Sequence, residues 1–131
     1  MYEHNMMSDG MDVLGVLRHA GATFLARHVS MDGPRAVESI KKGIRNRGLS
    51  LIHIVYPCPT NVGSRELGTR DAVTIYNWIK NQAAPIGQER NDTLWATGVY
   101  HDASNSRPEF SESIHQHVGR IRRQRLDESK I

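Results

Sequence analysis

The residue best placed for chemistry is Cys58, the single cysteine among 131 residues. It follows the apolar run Leu51-Ile52-His53-Ile54-Val55-Tyr56 and is bracketed by Pro57 and Pro59. Proline donates no backbone hydrogen bond and fixes φ, so the thiol is aimed in one direction. Three uses suit such a thiol: a metal or cluster ligand, a nucleophile, or an inert buried group, since free cysteine is among the most buried residue types. A nucleophile needs its thiolate stabilised by a nearby histidine or a helix N-terminus. His53 is the histidine closest upstream, and strand alternation points it to the opposite face. A lone thiolate does not hold an iron–sulfur cluster, which takes several converging thiolates.

Thr60 and Asn61 follow the cysteine and read as a turn with a locally bonded Asn. Arg65 and Arg70 lie a little further on and could meet an anionic group. Of the 7 histidines, His53 sits inside a strand pattern and reads as a hydrogen-bonded core residue. His115 and His117, two apart, face different sides of a helix. His101-Asp102 has the types for acid–base work, but stands at a strand end without a positioned substrate. Trp78 and Trp95 read as packing anchors.

These residues need a frame. Met1–Gly10 is Met-rich, polar and without period, the pattern of a ragged end. Val13, Leu14, Val16, Leu17 and Ala20 form one helical stripe stopped by Gly21. Thr23–Val29 reads as a strand. Asp32 and Pro34 open a helix with Ala36, Val37, Ile40 and Ile44 at helical spacing. Gly48 closes it after a basic last turn suited to the macrodipole. Leu49–Tyr56 is a near-continuous apolar run, the pattern of a strand buried on both faces. Strand, helix, strand makes a βαβ unit, hence an α/β class with a short parallel sheet flanked by helices. Cys58 then lies beyond the carboxyl end of a strand, where open α/β sheets place their chemistry. Asn61–Arg70 reads as a loop, Ala72–Ile79 as a helix, Thr93–Tyr100 as a last strand, and Arg107–Glu112 as the opening of a C-terminal helix. No repeat or low-complexity segment is present.

Composition narrows the function classes. The formal charge is +3, concentrated in Arg120, Arg122, Arg123 and Arg125, the pattern of a solvated helix end without the aromatic interleaving of a nucleic-acid binder. One cysteine fits a reducing compartment. No stretch is apolar enough to span a membrane and no signal-peptide pattern is seen, so a cytoplasmic location is expected.

Four segments carry a resemblance. They are Gly21-Ala22-Thr23-Phe24-Leu25-Ala26-Arg27; Gly48-Leu49-Ser50 running through Pro57-Cys58-Pro59-Thr60-Asn61; Tyr76-Asn77-Trp78-Ile79-Lys80; and Thr97-Gly98-Val99-Tyr100-His101 with Arg107-Pro108-Glu109-Phe110. In this order they resemble the thiamine-dependent β subunit of 2-oxoacid:ferredoxin oxidoreductases, from about Gly21 to Glu112. The resemblance implies a partial thiamine-diphosphate-binding fold, with residues 1–60 as the C-terminal part of the α/β core and 61–131 as a C-terminal extension. It also implies that Cys58 is the fourth ligand of a 4Fe–4S cluster, with Thr60 and Asn61 beside it. The intact enzyme would use thiamine diphosphate, Mg²⁺ and the cluster to decarboxylate a 2-oxoacid oxidatively with coenzyme A, passing electrons to ferredoxin. The cofactor carries the organic chemistry and the protein positions it.

The sequence also departs from the family pattern. It has no CxxC, and Ser8-Asp9-Gly10 is only superficially like the motif that holds Mg²⁺ and thiamine diphosphate. Pro59 stands where the family often has an apolar residue, and the spacing across Asn61–Arg70 differs. The expectation is a C-terminal fragment of a β subunit, inactive and without bound cofactor or metal by itself. Its partners would be the rest of the β subunit, the α subunit with γ and δ subunits where present, and ferredoxin. A non-catalytic assembly module that kept the fold, and a stand-alone thiol enzyme, are the alternatives. Parallel sheets are covered on both faces, so an exposed apolar patch and self-association are expected as well.

Overall fold

The computed structural model describes residues 11–56 and 58–128, with the side chain of Glu128 left aside. The expectations for Met1–Gly10 and for the ring of Pro57 fall outside the described residues. The chain runs α1 (Val13–His19), β1 (Phe24–Val29), α2 (Gly33–Arg45), β2 (Ser50–Val55), a π-helical segment (Pro59–Glu66), α3 (Ala72–Gln82), β3 (Ala83–Pro85), β4 (Trp95–Asp102) and α4 (Phe110–Glu128).

The four strands form one sheet in the order β2-β1-β4-β3. Parallel pairing of β1 with β2 runs from Phe24↔Ser50 to Val29↔Val55, the expected βαβ unit. The α/β class holds, but the sheet is mixed rather than all parallel. β4 pairs antiparallel with β1, with a register shift between Leu25 and Ala26, and β3 pairs parallel with β4. The strand drawn from the second half of the chain thus lies beside the most buried strand of the first.

Strand β1 is the centre of the fold. Phe24, Leu25, Ala26, His28 and Val29 are all buried. Leu25 packs with Leu14 and Ala22, joined by Leu17, Leu51 and Tyr100, so α1 covers that face. Asp12 caps α1 by accepting from the Gly15 amide at 3.0 Å. At its other end the Gly21 and Ala22 amides reach back to the Arg18 and Leu17 carbonyls, a Schellman closure.

Helix α2 buries only part of its helically spaced apolar set. Small residues face the sheet: Ala36 and Ser39 are buried, and a Cβ added at Gly43 would stand 2.8 Å from Ile52 Cδ1. Val37, Ile40 and Ile44 are exposed instead, Ile44 at 79%. The helix sits too close to the sheet for branched side chains between them. Asp32 takes the N-cap position without capping through its side chain; its carboxylate accepts from Arg35 Nη2 at 2.9 Å. The helix ends at Arg45, ahead of Gly48, and Asn46 turns the chain. Asn46 Nδ2 donates to Thr23 Oγ1 at 2.7 Å and to Ser50 Oγ at 2.8 Å.

Strand β2 also differs from the sequence reading. It is the outer strand of the sheet, none of its residues is fully buried, and Ile54 is exposed. With a neighbour on one side only, an apolar run here is half covered. Helix α4 carries Phe110, Ile114, Val118 and Ile121 along one side, and all four are exposed, Phe110 at 74%. Val37, Ile40 and Ile44 of α2 are exposed as well. No helix among the described residues is long and apolar enough to cross a membrane.

Candidate functional site

Cys58 lies three residues past the carboxyl end of β2 and opens the π-helical segment. Its backbone is extended (φ −102°, ψ 107°), and its Sγ accepts from the Asn61 amide at 3.4 Å. The thiol is partly buried. The segment Pro59–Glu66 replaces the expected loop. Its wide turns are defined by the Gly63 amide bonding to the Cys58 carbonyl at 3.0 Å and the Leu67 amide to the Val62 carbonyl at 3.1 Å. Such wider turns are rare and occur often at functional sites.

What forces this shape is Gly63. It is buried against α3, and a Cβ there would lie 2.5 Å from Ile75 Cδ1 and 2.6 Å from the Thr69 carbonyl oxygen. Ile75 is itself 1% exposed and Ile79 the same, so α3 cannot yield easily. Asp71 fixes the start of α3 by accepting from the Thr74 amide at 2.7 Å and its hydroxyl at 2.6 Å. These bonds hold its carboxyl below the usual range. The T-shaped contact of Trp78 with Trp95, 5.9 Å between centroids, ties α3 to β4.

Within the first turn after β2 the structure gathers Cys58, Thr60 and Asn61. Thr60 and Asn61 are exposed, and Asn61 meets the thiol through its backbone amide. Arg65 is exposed further along, and Arg70 donates from Nε to Ser64 Oγ at 2.9 Å. Among the described residues no three His, Cys, Asp or Glu side chains come together as a metal site.

The expected histidine roles also resolve. His53 is hydrogen-bonded, as a core reading requires, but its partner is Arg27: Arg27 Nε donates to His53 Nδ1 at 3.1 Å. Burial, then the Arg27 charge, push the His53 pKa down. Asp102 is bound to Lys42 and accepts from Ser104 Oγ at 2.6 Å. Its carboxyl is lowered to about 2, chiefly by the Lys42 hydrogen bond and then by Ser104. That fixes Asp102 as a structural anion tying β4 to α2. His115 bonds the Ser111 carbonyl and His117 meets Arg120, both on exposed α4.

Two residues escaped the sequence reading. Arg27 Nη1 donates to Tyr100 Oη at 3.1 Å, and its guanidinium lies 5.2 Å from the Tyr100 ring centroid. The Tyr100 hydroxyl donates in turn to the Ala96 carbonyl at 2.8 Å. Burial raises the Tyr100 pKa against the opposing pull of Arg27. No sequence signal marked this group, because the parallel register that sets Arg27 opposite His53 appears only in the structure.

A mixed α/β sheet with a directed thiol beyond a strand's carboxyl end defines the class: an α/β domain with its loop chemistry at that edge. The comparisons give it relatives. The chain is 28% identical over 125 residues to the 2-oxoglutarate synthase subunit KorB of Methanocaldococcus jannaschii, a match covering 91% of this chain and 45% of the relative. It is 30% identical over 118 residues to the KorB subunit of Methanothermobacter marburgensis, covering 86% and 40%. It is 38% identical over 56 residues to the 2-oxoacid:ferredoxin oxidoreductase subunit beta of Saccharolobus solfataricus, covering 43% and 18%. The chain is a homologue of the KorB subunits over most of its length. It spans less than half the length of the curated relatives it matches. No protein-family model and no solved structure matches it.

Proposed function

We propose that this chain is part of the β subunit of a 2-oxoacid:ferredoxin oxidoreductase, and that Cys58 is a thiolate ligand to its 4Fe–4S cluster. The observation that carries this is the match of named KorB subunits to 86–91% of the chain, with the thiol partly accessible in the turn beyond β2. A four-iron cluster takes four thiolates. Cys58 is the chain's single cysteine, so its donor set fits one corner of such a site and not the whole. The cluster's other ligands, and the residues for Mg²⁺ and thiamine diphosphate, would come from the rest of the β subunit. No step of the reaction is therefore assigned to this chain's residues.

In this reading residues 1–60 complete the α/β core and 61–131 form the extension. Thr60 and Asn61, exposed next to the thiol, would line the cluster pocket. The assembled cytoplasmic enzyme, with its α and any γ and δ subunits, would decarboxylate a 2-oxoacid with coenzyme A and reduce ferredoxin. The chain by itself would be inactive. Co-expression with the CxxC-bearing remainder of a β subunit tests the reading through iron content and visible absorption of the purified complex. A cluster with the wild type that is lost or altered in Cys58→Ala supports it. The same cluster in both removes Cys58 as a ligand, and a folded complex with no cluster in either favours a non-catalytic assembly module.

A further inference from the structure

Arg27 stands apart among the cations. Among the described residues every other lysine and arginine is exposed, while Arg27 is largely covered in the middle of the sheet. Exposed Arg35, Lys41, Lys42, Arg47 and Arg90 each meet a carboxylate; Arg27 meets none among the described residues. Covering a charge without a counter-charge is costly, so the most covered cation should be the one with a partner.

The contacts it does have are both neutral acceptors. A guanidinium only donates, so His53 Nδ1 is the acceptor at 3.1 Å and its ring carries the proton on Nε2. The Tyr100 oxygen is the second acceptor at 3.1 Å, its own proton committed to the Ala96 carbonyl. Of the five guanidinium N–H groups, those on Nη2 donate to no described residue, and neither does His53 Nε2–H. Arg27 and His53 therefore keep spare donors on this face; the carboxylates of Asp12 and Glu89 lie near enough to act on the Tyr100 hydroxyl, but neither bonds Arg27. His28 is buried on the neighbouring position of β1 and bonds Ser39 of α2 at 2.8 Å. Strand alternation accordingly puts Arg27 on the face away from α2.

We propose that Arg27, braced by His53 and Tyr100, is the centre of an oxyanion-binding site on the sheet face opposite α2, taking a carboxylate or phosphate group. Arginine's planar fork suits both groups. The site is separate from the Cys58 loop and does not depend on the reading of Cys58 as a cluster ligand.

The test is a titration of the ¹⁵N-labelled chain with inorganic phosphate and, in parallel, with acetate, at constant ionic strength. The Arg27 Nε–H and His53 Nε2–H resonances report directly. Saturable shifts of both with either ion are expected, and the two arms tell which oxyanion the site prefers. Arg27→Gln should weaken the response roughly tenfold or more, the worth of losing a charge-assisted hydrogen bond. Shifts that never saturate, no shift with either ion, or equal binding by Arg27→Gln would overturn the site. Should Arg27→Gln not fold, Tyr100→Phe serves in its place: it keeps the guanidinium and removes one brace. Weaker binding by that variant supports the proposal, and unchanged binding overturns it.

Discussion

Replacing Gly63 by alanine is the sharpest single test of how the Cys58 segment is shaped. The added methyl would stand 2.5 Å from Ile75 Cδ1 and 2.6 Å from the Thr69 carbonyl oxygen. One obstacle is a fully buried side chain and the other is backbone, so neither moves cheaply. Overpacking of this kind costs about 1–3 kcal/mol, and for a chain of this size that lowers Tm by roughly 3–12 °C. Gly33→Ala is the control, since nothing stands within 4 Å of its added methyl; it should stay within about 0.5 kcal/mol of wild type. Ile75→Val removes the Cδ1 that Gly63→Ala would strike and costs about 0.5–1.5 kcal/mol alone. The double variant should be more stable than the sum of the two losses by at least roughly 0.5 kcal/mol, the signature of coupled neighbours. Urea unfolding of the wild type and the four variants reads all of this. A Gly63→Ala as mild as Gly33→Ala, or strict additivity in the cycle, would refute the packing argument.

Acid should loosen the fold before any carboxylate titrates. Burial depresses both His28 and His53 below the ordinary histidine value. The unfolded chain therefore takes up protons that the folded chain resists. Stability is full above about pH 6.5 and falls as pH drops toward the folded values, by at most about 1.4 kcal/mol per pH unit for each group; urea midpoints that stay level between neutrality and mild acid would contradict this. Ser39→Ala should cost about 1–3 kcal/mol by leaving the buried His28 ring without its 2.8 Å partner, and calorimetry showing no loss would mean that the bond is dispensable. Phe110→Glu with Ile114→Glu changes only exposed positions of α4. It should leave unfolding within about 0.5 kcal/mol and reduce self-association in sedimentation velocity; equal association would place the sticky surface elsewhere.

How far the sequence carried depends on what each signal measures. Some punctuation marked the elements well: Gly21 ended α1, and the apolar runs became β1 and β2. Apolar spacing did not reveal which side of α2 faces inward, because distance to the sheet decides that. Gly43 and Ser39 allow an approach that excludes Val37, Ile40 and Ile44. A run such as Leu51–Val55 has the same composition in a central strand as at an edge, and only the strand order separates them. The π-helical turn had no compositional mark; it follows from the fit of Gly63 against Ile75, which is a tertiary contact. At the site, the place of Cys58 after a strand was readable from the chain alone. The pairing of Arg27 with His53 needed the register, and the bond from Arg27 to Tyr100 needed the antiparallel partner strand.

The seat of β4 against β1 has a consequence for when this chain can fold. Arg27 pairs with His53 on one side and with Gly98 on the other, so the central strand closes one short loop and one of about seventy residues. Loop closure of the second kind is the slower event. During synthesis the βαβ half can assemble early, but β1 keeps one bare edge until Trp95–Asp102 has emerged. Open edges of that sort invite pairing with other chains. The interval between the two halves is thus the period in which aggregation competes with folding, and slowing translation after β2 should lengthen it.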